Sequence, residues 1–237
     1  MIIFEFVIII FLLSIIHSIV GIGLLIIGTP ILLAYNLSFF STLEILLPCS
    51  LIINLINLIR SNKKEISPTY KKIFLFYCLP FVPLGLIITY FLREIINFKL
   101  IIGFLILSLF FLQIIYKKKK LSEIKQKYIS IFIGLFHGLT NLGGSLISLF
   151  LLVINTNNKI KTAIDFSYFF LASLQYSFLI LFLNSGFKKE NFIFIFISIL
   201  GCLIGNLIKK YINFNTLSFF LKAMILTSAI IVIASNY

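Results

Sequence analysis

Long apolar stretches, separated by short charged or turn-forming punctuation, run along the whole chain. The first covers residues 2–35 and is interrupted by Gly21, Gly23, Gly28 and Pro30. The second, about 42–60, ends at Arg60 and is followed by a basic loop from Ser61 to Lys72. The third, about 73–92, holds Pro80 and Pro83, which are expected to kink it. The fourth, about 98–116, ends in Lys117, Lys118, Lys119 and Lys120. A fifth run covers about 128–154 and is broken by Gly138, Asn141, Gly143 and Gly144. The sixth (about 162–184), seventh (about 191–208) and eighth (about 216–234) complete the pattern. A bilayer core about 30 Å thick takes roughly 20 apolar residues per helix, so each run reads as a membrane segment.

Composition sharpens this picture. Of 237 residues, 61% are hydrophobic and 11% charged, against about 25% charged in a soluble domain. That leaves too little polar surface to cover a soluble globule and excludes disorder and a disulfide scaffold. The expected class is an all-α polytopic membrane protein with about eight helical membrane segments. The apolar N-terminal run lacks a basic leader and a small-residue cleavage site, so it is expected to stay as a span. Tyr35, Tyr70, Tyr90, Tyr116, Tyr128, Tyr211 and Tyr237 lie near run ends, as an interfacial aromatic belt would.

The second half repeats the first at a shift of about 120 residues. His17 maps to His137, Gly23 to Gly143, Gly85 to Gly205, and Gly103 to Ala223. Ser41-x-x-Glu44 maps, one residue further on, to Thr162-x-x-Asp165. These matches predict two repeats of four segments, residues 1–120 and 121–237, with the first and fifth segments broken. Internal repeats with interrupted helices at matching positions are the sequence mark of a secondary transporter.

The net charge of +13 sits in the short loops, as positive-inside bias and attraction to anionic lipid require; nucleic acid is not an expected partner. If every run crosses once, thirteen Lys/Arg face one side and six the other, and the repeats are parallel. If runs one and five are hairpins that return to their starting side, the split is fifteen to four and the repeats are inverted. Both satisfy the bias, and the length of the first run leans toward the hairpin.

Candidate chemistry gathers at the matched breaks. The first holds His17, Gly21, Gly23, Thr29 and Pro30; the second holds His137, Asn141, Gly143, Gly144 and Ser145. Glycine lets the backbone leave the helix, and a helix restarting there points amides and the positive end of its dipole at an anion. Close helix packing through small residues is the competing reading. His17 and His137 are the only histidines, and ionisable groups inside membrane segments default to function, here hydrogen bonding or proton carriage. Asn54, Asn57, Gln175 and Ser177 are polar positions that either line a pathway or join helices. Glu44 and Asp165 read better as capping boxes than as coupling carboxylates. Lys222 lies about two turns into the last run, close enough to snorkel. Cys49, Cys78 and Cys202 read as small buried hydrophobes. They have no metal-ligand spacing, so neither metal nor cofactor is expected. No nucleophile elbow, H-E-x-x-H or P-loop occurs, so an enzyme or an ATP-driven pump is not expected.

The stretch Gly21-Ile-Gly23-Leu-Leu-Ile-Ile-Gly28-Thr29-Pro30-Ile-Leu32 resembles the first-repeat motif of the sulfite exporter TauE/SafE family, also called the toluene sulfonate uptake permease family. That motif is a Gly-rich G-x-G-G-G, several apolar residues, then P-x-L. The stretch Gly134-Leu-Phe-His137-Gly138-Leu-Thr-Asn141-Leu-Gly143-Gly144-Ser145 resembles the second. Leu24 and Leu25 stand where the family prefers glycine, and Asn141 and Ser145 replace residues common in the second motif. The resemblance implies a multi-pass inner-membrane transporter of small anions such as sulfite, sulfonates and sulfoacetate. The reading of the breaks adds a compatible mechanism: paired helix N-termini bind the anion, one repeat moves against the other for alternating access, and a histidine is the candidate for proton coupling. An anion channel, or a membrane enzyme or scaffold without transport activity, is the alternative. Substrate, direction, coupling ion and oligomeric state stay open.

Overall fold

The computed structural model describes residues 2–61, 66–95, 97–115, 121–154, 160–183 and 191–211, with short stretches between 226 and 234. The eighth run with Lys222, the 117–120 lysines, Tyr116, Tyr237 and the 184–190 loop lie outside or almost wholly outside the described residues. The described residues are mostly helical, joined by turns, with no strand among them. In chain order they form α1 (Ile2–Val20), α2 (Leu24–Ala34), α3 (Phe39–Arg60), α4 (Pro68–Ile73) and α5 (Phe81–Leu92). Then come α6 (Phe98–Ile115), α7 (Glu123–Thr140), α8 (Gly143–Ile154), α9 (Ile160–Leu183) and α10 (Asn191–Ile208). Four helical units among them, Phe39–Arg60, Pro68–Leu92, Ile160–Leu183 and Asn191–Ile208, are long and apolar enough to cross a membrane. Large apolar side chains such as Phe76, Phe91, Phe104, Phe132 and Phe182 stand exposed on the outer faces. On a water-soluble protein such a surface would aggregate; against lipid it is the ordinary exterior.

The third run is interrupted as its prolines require. A wide π-type turn over Phe74–Cys78 joins α4 to α5, and Pro80 immediately precedes α5. The fifth run begins earlier than its hydrophobicity implies. α7 starts at Glu123 because its charged first turns lie outside the bundle, where Glu123 and Lys127 form an i,i+4 ion pair at 3.0 Å.

Both broken runs fold as hairpins. Gly21 and Gly23 take φ values of 90° and 144°, backbone that side-chain-bearing residues rarely adopt. The chain then returns along α1. Gly23 lies against Ile16 and His17, Gly28 against Leu13, and Tyr35 stands edge-on to Phe6 at 5.3 Å. In the second break Asn141 occupies the left-handed region (φ 61°) and closes α7 by donating its N–H to the His137 carbonyl at 2.8 Å. Down the returning α8, Phe150 reaches Tyr70 of α4, at the end of the bundle where α7 also begins. The first hairpin enters from the opposite end. Its open end lies beside the starts of α3 and α6, and its tip meets Lys161 and Asp165 in the opening turns of α9.

Three helix pairs carry the packing: α1 with α10, α3 with α9, and α5 with α7. Two of them are seams of small residues. Gly201 and Gly205 of α10 lie on Ser14 and Ser18 of α1, and Ser18 Oγ donates to the Cys202 carbonyl at 3.0 Å. Gly85 of α5 lies on α7 between Gly134 and Gly138. With lipid as solvent, such close backbone approach supplies the dispersion energy that hydrophobic burial supplies in water.

Two sequence expectations change. The caps are not where the capping boxes placed them. α3 opens one turn earlier, at Ser38, whose Oγ accepts from Ser41 N–H at 3.1 Å. α9 opens at Ile160, which puts Asp165 in the second turn, where no free helix amide is left to cap. And Tyr70 does not belong to an interfacial belt: it is buried, with its hydroxyl on Ser167 Oγ. Tyr35, Tyr128 and Tyr211 are exposed. Ser38→Ala removes a cap worth about 1 kcal/mol, so its thermal midpoint in detergent is expected about 2–4 °C below wild type. An unchanged midpoint would mean the turn is held by other contacts.

Candidate functional site

The two breaks meet in the interior. Asn141, the residue that ends α7, donates from Nδ2 to Thr29 Oγ1 in the middle of α2 at 2.9 Å. His17 from α1 and Tyr168 from α9 stand edge to face with ring centroids 5.6 Å apart. Gly144 lies directly beneath the Tyr168 hydroxyl, and Gly143 directly beneath His137. Gln175, two turns along α9 from Tyr168, donates from Nε2 to the His137 carbonyl at 3.4 Å. His17, His137, Asn141, Thr29, Tyr168 and Gln175 are all fully buried.

The two histidines, equivalent in sequence, differ in their bonding. The Leu24 N–H donates to His17 Nδ1 at 3.4 Å, so the ring proton sits on Nε2, which donates to Asn54 Oδ1 at 3.1 Å. Asn54 in turn donates from Nδ2 to the Ser50 carbonyl at 2.6 Å. His17 is thereby a fixed cap on the first turn of α2, with no ring nitrogen to spare. Neither ring nitrogen of His137 makes a hydrogen bond of good geometry, and the Gln175 side chain stands beside the ring. Gln175 Oε1, Asn141 Oδ1 and Tyr168 Oη are also buried without a well-formed hydrogen bond. An unsatisfied buried polar atom costs about 1–3 kcal/mol, and several of them gather around this one helix break.

The remaining sequence candidates fall elsewhere. Gly21 forms the tip of the first hairpin; Gly23 and Pro30 shape the turn and α2 around the cluster. Ser145 Oγ is turned back onto the Leu142 carbonyl at 2.7 Å. Asn57 shares the buried face of α3 with Asn54 but bonds a different group, donating to Asp165 Oδ1 at 3.3 Å. Asp165 Oδ2 accepts from Lys161 Nζ at 3.2 Å, and Asn206 closes the set by donating to Asn57 Oδ1 at 3.1 Å. This polar socket holds the first hairpin: a Cβ on Gly21 would lie 3.2 Å from Ile164 and 3.4 Å from the Asp165 carboxylate. Ser177 is apart from both clusters. It lines an outward-facing apolar cavity of about 440 Å³ between α5 and α9, with Pro80, Pro83, Phe170 and Leu174.

Two contributors escaped the sequence reading. Tyr168 lies about two turns inside the sixth apolar run, and a polar group at that position was the available signal. Asp165 was visible but assigned to a cap.

The profile of the sulfite exporter TauE/SafE family matches residues 6–234. The chain belongs to that family. A TauE/SafE chain belongs to a family of membrane transport proteins for sulfur anions. Comparison with curated proteins and with solved structures returns no match. As in the resemblance read from the motifs, both Gly-rich stretches of this TauE/SafE chain lie inside the matched span.

Proposed function

We propose that the protein is a secondary transporter of small sulfur oxyanions of the sulfite class, with its substrate site at the unpaired polar cluster of His137, Asn141, Tyr168 and Gln175. One observation carries this reading: four neighbouring side chains are buried with polar atoms unpaired, where the hairpins meet. Tyr168 O–H and one N–H of His137 can donate to an anion, and the first turn of α8 adds its dipole.

Two repeats, residues 1–120 and 121–237, account for the opposite entry of the hairpins and for the two small-residue seams. They also account for Ser14 and Ser18 standing 120 positions before Gly134 and Gly138. Movement of one repeat against the other gives alternating access. By the positive-inside rule the end carrying Arg60, Lys71, Lys161 and Lys209 faces the cytoplasm, with anionic lipid around it, and the location is the cell inner membrane.

The test is uptake of radiolabelled sulfite into proteoliposomes, with and without a pH gradient. Saturable uptake is expected, and His137→Ala is expected to lower it at least about tenfold through loss of a hydrogen bond to a charged substrate. No uptake by folded, inserted protein defeats the assignment, as does non-saturating flux of channel type.

A further inference from the structure

The central cluster is unusual for an anion site in two respects, and both bear on which ionic form it takes. The first is charge. Among the described residues, the titratable groups in the cluster are His17 on α1, His137 on α7 and Tyr168 on α9. α2 and the described part of α8 present none, and α3 presents only buried Cys49 along the same stretch. Asp165 and Lys161, further back on α9, bond each other, and Asp165 also accepts from Asn57. Glu44 lies on α3 more than two turns before Asn54. Among the described residues, therefore, no cation stands in the cluster to offset substrate charge. The energy of burying an ion rises with the square of its charge, so a dianion is penalised far more than a monoanion.

The second is the mix of donors and acceptors. Gln175 must present Nε2 to the His137 carbonyl, since the flipped amide would set oxygen against oxygen. Its Oε1 is left as a buried acceptor beside the His137 ring, and Asn141 Oδ1 is another buried acceptor, its Nδ2 being taken by Thr29. A fully deprotonated oxyanion offers only acceptors and is repelled by these oxygens. An oxyanion that keeps one proton donates O–H to Gln175 or Asn141 and accepts from Tyr168 and His137.

We propose that the site selects the singly protonated monoanion, hydrogensulfite in the sulfite series, over the dianion, so that the proton moved with each turnover rides on the substrate and not on a protein side chain. This rests on reading the cluster as the substrate site. Protonation of sulfite takes place in bulk solution, and no bond is made or broken in the protein.

The test is equilibrium binding to the full-length detergent-purified chain, using radiolabelled sulfite and methanesulfonate. Methanesulfonate is a monoanion of similar shape that has no O–H and keeps its charge from about pH 6 to about pH 8. Apparent affinity for total sulfite is expected to fall about tenfold over that range as hydrogensulfite deprotonates, while methanesulfonate binds more weakly with a flat profile. Gln175→Leu is expected to weaken sulfite about tenfold and, by removing an oxygen that repels an acceptor-only anion, to leave methanesulfonate bound as well as or better than in wild type, bringing the two ligands together. If methanesulfonate follows the same pH profile as sulfite, a protein group titrates, His137 first among them, and the proposal is overturned. It is also overturned if sulfite binding is flat in pH. Should folded wild-type protein bind neither ligand at any pH, the substrate-site reading fails and this proposal with it. Binding of sulfite with a flat profile defeats only the present inference.

Discussion

Gly138→Val is expected to leave little folded protein. At the α5–α7 crossing a Cβ on Gly138 would run into the Val82 carbonyl and stand 2.9 Å from Gly85 Cα. The same seam brings Gly134 onto the Cys78 carbonyl and Gly85 onto the Leu135 carbonyl. Thr89 Oγ1, which donates to the Gly85 carbonyl at 3.0 Å, ties off its end. Backbone cannot step aside as a side chain can, so the helices must separate along the whole seam. Overpacking usually costs about 1–3 kcal/mol, and this position belongs at or beyond the upper end. Gly28→Ala is the control: there the new methyl meets the flexible ends of Leu46 at 3.1 Å and Leu13 at 3.3 Å. Size-exclusion profile and thermal midpoint in detergent decide the matter. A Gly138→Val protein that elutes and melts like wild type would show that the crossing is looser than its geometry implies.

Tyr168 gives the second large effect, on binding more than on folding. Tyr168→Phe removes an unpaired hydroxyl and is expected to leave the midpoint near wild type while weakening sulfite binding about tenfold or more. Gly144→Ala reaches the same atom from the other side. Its methyl would occupy the position of the Tyr168 hydroxyl, and the ring, fully buried against His17, must shift. Loss of binding in both variants, with a lower midpoint only in Gly144→Ala, is the expected pair of results. Wild-type affinity in Tyr168→Phe would remove the hydroxyl from the site.

The helix breaks were legible in the sequence because Gly21, Gly23 and Gly143 stand out against runs of Ile, Leu and Phe. The hairpins were left as one of two topologies because charge counting satisfies the positive-inside bias in both. The choice lay in contacts such as Phe6 with Tyr35, which no local pattern encodes. The capping boxes misled for a related reason: Asp165 sits three residues after Thr162, the right spacing, but α9 had already begun, so its carboxylate turned to Lys161 and Asn57. The difference between His17 and His137 was also hidden. The two occupy equivalent positions, yet Asn54 and the Leu24 amide bind His17, while His137 has Gly143 packed beneath it and no well-formed hydrogen bond to its ring. Sequence equivalence predicts the same backbone position, and the neighbours decide the chemistry.

The seam between α1 and α10 has a consequence for how the chain is made. Ser18 donates to a carbonyl 184 residues later, so the first hairpin enters the bilayer long before its partner helix exists. Until then Ser14 and Ser18 have no Gly201 and Gly205 to lie on, and the socket for Gly21 is missing its α9 and α10 walls. The α5–α7 seam crosses the midpoint of the chain in the same way. Each half thus borrows a wall from the other, and a chain stopped at the midpoint would hold two unfinished surfaces in lipid. The α1 seam closes only after synthesis has passed Gly205, so the nascent chain, more than the finished protein, presents unfinished surfaces to quality control.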